Sequence, residues 1–167
     1  MKRSLSRLAL CYLLAGGIIT AIAAEGRFDV SKVIDKAAAE TILGEPVKAP
    51  TPRNEEGKDG YYSKCNYYST SGKKRLVIRV YQAAPGFDAQ KDLEAVVENT
   101  GAMRAISGLG DKARITSGVQ SGLPQQVAML YVVKGTALIT VGISGFEDEA
   151  VSADKVKSVA QKILGAL

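Results

Sequence analysis

The chain has 167 residues, with 22 Lys and Arg against 17 Asp and Glu, and no histidine. That length suits a single domain able to bury a core without disulfides or metals. The missing histidine excludes Ser-His-Asp and Cys-His catalysis and removes the commonest metal ligand.

Residues 1–24 have the pattern of a secretory signal peptide. Lys2, Arg3 and Arg7 form a basic start, Leu8 to Ala24 carries no charge, and Ala21-Ile22-Ala23-Ala24 offers small residues for cleavage after Ala23 or Ala24. The uncharged run is shorter than the roughly 20 residues of a spanning helix and contains Gly16, Gly17 and Thr20. Leu10 precedes Cys11 where a lipoprotein box needs a small residue, so lipidation at Cys11 is not expected. The expectation is a mature domain over 25–167, periplasmic or secreted, with no transmembrane segment. Loss of Lys2, Arg3 and Arg7 leaves 19 basic against 17 acidic residues, a net charge of +2 in place of +5. Nucleic acid is therefore not an expected partner. One cysteine remains, Cys65, in a strand-like run, which predicts a buried apolar thiol without an internal disulfide.

Three helices follow from apolar spacing. The first covers Val30 to Leu43, with Asp29 as N-cap, Phe28 as staple and Gly44 as stop. Its stripe is Val30, Val33, Ile34, Ala37, Ala38, Thr41 and Ile42. The second covers Ala89 to Asn99, after Phe87 and Asp88, with a stripe of Ala89, Leu93, Val96, Val97 and Thr100. The third covers Ser152 to Leu164, with Ser152 as N-cap. Strands are predicted at 65–68, 76–81, 113–116, 127–133 and 137–144. The 127–133 run is apolar on both faces, which predicts a central strand. Ser69–Lys74 and Lys134-Gly135 are hairpin bends. Pro46 to Ser63 is a long polar connection, and Ser117 to Gln126 a second one. The fold class is α+β, a mostly antiparallel sheet of five to six strands with three helices packed on it. The order of elements is compatible with two helix–hairpin pseudo-repeats and equally with chance similarity.

Few residues carry chemical signals. Gly108-Leu109-Gly110-Asp111-Lys112-Ala113 fits G-x-G-x-x-A, but that motif binds phosphate only between a strand and a helix, and here it enters a strand. Its reading is a turn. The acidic pairs Glu55-Glu56 and Glu147-Asp148-Glu149 lie in polar segments. No calcium-loop pattern occurs, and neither cofactor, metal nor catalytic residue is expected. Partner contact is the remaining candidate. Tyr61 and Tyr62 begin a run with four of the seven tyrosines, and Lys73, Lys74 and Arg75 make a basic hairpin end. A half-buried tyrosine strand with a charged bend explains the same residues.

The order Leu43-Gly44-Glu45-Pro46-Val47, Cys65-Asn66-Tyr67, Gly108 to Ala113 and Lys134-Gly135 resembles small exported bacterial α+β proteins and lipoproteins carrying a domain of unknown function. The resemblance implies an α+β fold and export. Relatives often carry a second cysteine, able to pair with the strand cysteine, where this chain has Ser31, so that pairing has no counterpart here. The functional expectation is an exported envelope protein, a non-enzymatic binding module for an envelope protein or ligand. The alternatives are a small periplasmic enzyme or inhibitor acting through 46–63, and a hairpin module binding an anionic polymer through Lys73, Lys74 and Arg75.

Overall fold

The computed structural model describes residues 26–101, 103–119 and 126–167; the signal-like segment lies outside them. Seven strands form one antiparallel sheet: β1 Arg53–Glu56, β2 Gly60–Tyr68, β3 Arg75–Ala83, β4 Arg104–Ile106, β5 Lys112–Val119, β6 Gln126–Lys134 and β7 Ala137–Ser144. Their spatial order is β1-β2-β3-β7-β6-β5-β4. Four helices complete the described residues: α1 Val30–Val33, α2 Lys36–Leu43, α3 Ala89–Thr100 and α4 Glu149–Leu164. The α+β class and the antiparallel sheet match expectation, while the counts exceed it by at least one strand and by one helix.

The extra helix comes from a break in the first one. Asp35 caps α2 by accepting from Ala38 N at 2.8 Å, the donor that an unbroken helix would aim at Ile34 O. The freed Ile34 carbonyl accepts from the Tyr67 hydroxyl instead. The break rephases the chain. Val30 and Ile34 are buried as predicted, but beyond it Ala39 and Leu43 face inward while Ala37 and Thr41 are exposed. Two lysines close α2: Lys74 Nζ donates to Leu43 O at 2.8 Å and Lys155 Nζ to Ile42 O at 2.6 Å. Both ammonium groups also lie over the Phe146 ring, at 4.7 and 5.1 Å.

The strands that escaped prediction lack an apolar pattern. β1 is exposed along its whole length and lies within the segment expected to be a loop over 46–63. Its charges suit an edge that must resist pairing with other chains. β4 has three residues. The predicted 117–126 loop is shortened by β5, which runs on to Val119. β6 is paired on both sides, yet the middle of the sheet belongs to β7, whose seven residues from Ala137 to Ile143 include six buried ones. α4 starts at Glu149, with Asp148 accepting from Ala150 N at 2.7 Å and Val151 N at 3.1 Å. Ser152, the expected cap, is buried inside the first turn. Phe87 is 51% exposed and staples nothing, whereas Phe28 is buried.

α1, α2 and α4 pack on one face of the sheet over Cys65, Tyr67, Leu76, Ile78, Leu130 and Val141. α3 packs on the other face over Tyr81, Val133 and Leu138. A helix followed by a meander thus occurs twice in order, but the two helical units lie on opposite faces.

The glycine motif at 108–113 joins β4 to β5. At Gly110 φ is +57°, and a Cβ there would stand 2.4 Å from Val133 O. Asp111 then accepts from Gly135 N at 2.7 Å and from Lys134 Nζ at 3.3 Å, tying this turn to the β6–β7 hairpin. The motif is a turn, as its sequence context predicted.

Candidate functional site

α3 carries only a narrow apolar stripe, so it covers one end of its sheet face. Ala89 and Leu93 are buried in it, Val96 and Val97 half-buried. The remainder of that face is open. Cross-strand partners point to the same side of a sheet. The register therefore sets Arg53, Lys64, Arg79, Thr140, Tyr131 and Arg114 in one row across β1, β2, β3, β7, β6 and β5. The next row, farther from α3, is Asn66, Val77, Gly142, Met129 and Thr116. Gly142 lets Met129 and Val77 close over it; a Cβ there would meet Met129 Sδ at 2.4 Å and Val77 Cγ2 at 2.6 Å. The open face thus has a cationic row beside a small apolar floor.

Arg79 is the centre of this surface. Its guanidinium carbon lies 4.5 Å from the centre of the Tyr62 ring. Tyr62 in turn stacks on Tyr81, with ring centres 4.8 Å apart. The Tyr62 hydroxyl donates to the Asp59 carboxylate, and Tyr81 donates to Asp59 O at 2.7 Å. Burial, reinforced by Asp59, pushes the Tyr62 phenol up to about 12. A groove of about 430 Å³ runs between α3 and the sheet, lined by Asp59, Tyr62, Arg79, Asp92, Tyr131 and Thr140 among others. Two shallower depressions adjoin it, one over Arg53, Lys64 and Arg79 and one over Asn66, Val77 and Thr140; Arg79 lines all three.

The five residues singled out in the sequence do not form one surface. Tyr62 lies on the open face. Arg75 shares that side, its guanidinium 5.9 Å from the Tyr68 ring centre. Tyr61 alternates to the helix-bearing side, where the Arg27 guanidinium sits 5.5 Å from its ring centre. Lys73 is exposed at the β2–β3 bend, and Lys74 turns inward to cap α2. Arg53, Lys64, Arg79 and Arg114 were not singled out by sequence. Two of them were within reach, because the bend after Tyr68 implies that Lys64 faces Arg79.

The row can donate many hydrogen bonds to an anion and offers little to accept one. Cys65 lies on the opposite, fully covered face; it is 0% exposed, and burial raises its thiol pKa. Among the described residues no three Asp, Glu or Cys side chains converge as a metal site would require. None of the helices there is long and apolar enough to cross a membrane. The structure defines an α+β protein whose seven-stranded antiparallel sheet is helix-covered on one face and half open on the other. Comparison with models of protein families and with curated proteins finds no match to this chain.

Proposed function

We propose that this chain is an exported, non-enzymatic binding module of the cell envelope, and that it binds through the open half of the sheet face beside α3. Export rests on the basic-then-apolar segment at 1–24, with a cut near Ala23 or Ala24. The resemblance to small exported α+β proteins supports the same assignment. The observation that carries the binding reading is the incomplete cover of the sheet. An antiparallel sheet commonly leaves one face to water, and such a face carries polar side chains. Here half-buried Val77 and Met129 form an apolar floor in the middle of the sheet, beside the row of Lys64, Arg79 and Thr140. The residues at 46–63 belong to the same surface through Arg53 and Glu55 on β1, so that segment is read as part of the face.

The test uses affinity capture from the protein's own envelope extract. Thr140→Trp places bulk on the open face, and Ser158→Trp places it on the exposed side of α4. Capture lost in the first variant and kept in the second is the expected result. Undiminished capture by Thr140→Trp refutes the reading.

A further inference from the structure

Lys64 and Arg79 stand opposite one another across β2 and β3, and Arg53 flanks Lys64 on β1. Strands are about 4.8 Å apart, so the backbone positions of the three basic residues follow one another over about 10 Å. Like charges directly opposite on a sheet are destabilising. Among the described residues the only acidic partner bonded to the three is Glu55, which accepts from Arg53 Nε at 2.8 Å. Among the described residues neither Lys64 nor Arg79 forms an ion pair. The row thus holds more cations than bonded acidic partners, with Asp59 and Asp92 lining the groove beside Arg79.

We propose that this row binds a phosphate polymer, a chain of phosphoryl groups laid over β1, β2 and β3 at the foot of α3. The inference rests on the open face being the binding surface. A chain fits better than a single anion because Arg53, Lys64 and Arg79 extend along a line, with Arg114 in the same row beyond the uncharged Thr140 and Tyr131. Phosphoryl oxygens fit because ammonium and guanidinium groups are donors only, joined in the row by the Thr140 hydroxyl. An acidic peptide would bring N–H donors for which the row offers only the Thr140 and Tyr131 hydroxyls as acceptors, and peptides pair with sheet edges. An anionic bilayer would meet α3 first. That helix stands above the sheet and exposes Asp92, Glu94 and Glu98 against one lysine, Lys91. Single-stranded nucleic acid needs free aromatic faces for its bases. The Tyr62 ring has Arg79 on it and Tyr81 stacked against it, Arg75 lies against Tyr68, and the Tyr131 ring in the row is half-buried.

The experiment measures binding of inorganic polyphosphate to the full chain by titration calorimetry, together with the thermal midpoint of each variant. With about three neutralised charges, affinity should weaken roughly 20–40-fold between 50 and 200 mM salt. Lys64→Ala and Arg79→Ala should each weaken binding at least tenfold, while Lys162→Ala on α4 leaves it unchanged. Lys64→Ala should hold or raise the thermal midpoint, since it relieves repulsion. Equal affinity for orthophosphate, poly-glutamate, single-stranded DNA or anionic vesicles overturns the proposal. So does a Lys64→Ala protein that melts lower and binds as before. If polyphosphate fails while Thr140→Trp still abolishes envelope capture, the ligand class is wrong and the module reading stands. If both fail, both fall.

Discussion

Tyr67→Phe removes one oxygen and probes the helix break at its root. Tyr67 is 1% exposed, and its hydroxyl donates to the carbonyl of Ile34, itself fully buried. That carbonyl has lost its helical partner to the Asp35 cap, because Ala38 N bonds the Asp35 carboxylate. The phenylalanine keeps the ring and its packing, so no large cavity forms. What remains is a buried acceptor without a donor, which costs about 1–3 kcal/mol. In a domain of this size that lowers the melting temperature by about 3–10 °C. Urea unfolding followed by far-ultraviolet circular dichroism measures it, and the slope against denaturant should not change. Asp35→Ala should cost about 0.5–2 kcal/mol alone. Combined with Tyr67→Phe it should cost less than the sum, because Ala38 N becomes available to Ile34 O. A Tyr67→Phe protein within about 0.3 kcal/mol of wild type would show that the break does not depend on this hydrogen bond.

Other perturbations separate structural from surface residues. Lys74→Ala should destabilise by about 1–2 kcal/mol through loss of the α2 carbonyl and Phe146 contacts, while Lys73→Ala stays within about 0.5 kcal/mol; thermal unfolding distinguishes them. Gly110→Ala should cost about 1–3 kcal/mol, from left-handed backbone and the Val133 carbonyl, and denaturant midpoints report it. The hydrogen bond from the Ser31 hydroxyl holds the Asp29 carboxyl below its ordinary value. Its contribution is present above the unfolded value near 4 and is lost as pH falls through the folded one. Asp29→Asn keeps a cap but flattens the acid limb, so its stability deficit should shrink between pH 5 and pH 2, limits set at about the carboxylate range. At the other extreme, Tyr62 favours its neutral form when folded. Stability should fall as pH rises from about 10 to about 12. Tyr62→Phe should remove one phenolate transition near the upper value in an ultraviolet titration.

Much of the fold was legible because its signals are local. The caps at Asp29 and Asp88, the body of α4 and the β2–β3 bend follow from spacing alone. The break at Asp35 was hidden because Ala37 and Ala38 fit a continuous helix as well as a broken one. What tips the balance is Tyr67, 33 residues away. β1 was hidden because an edge strand stabilised by pairing needs no apolar residues. The candidate site was half legible. Counting outward from the first bend pairs Lys64 with Arg79; the second bend, expected at Lys134-Gly135, is one residue later at Gly135-Thr136, which pairs Tyr131 with Thr140. The non-local pairing of β3 with β7 brings these two hairpins into one row, and nothing in either segment announces it. Composition worked against the reading too, since a net charge of +5 over the whole chain conceals where the cations gather.

The position of β7 has a consequence for how the molecule is made. The middle strand of the sheet is also its last, drawn from residues 137–144. A chain that emerges amino end first builds two separate meanders, β1 to β3 and β4 to β6, before anything can join them. Until β7 arrives, the open sides of β3 and β6 lie bare, two ready templates for pairing with other chains. Contacts between such distant segments form slowly. The order of synthesis therefore imposes a waiting period in which this protein is most exposed to aggregation, and it ends only when the final hairpin closes.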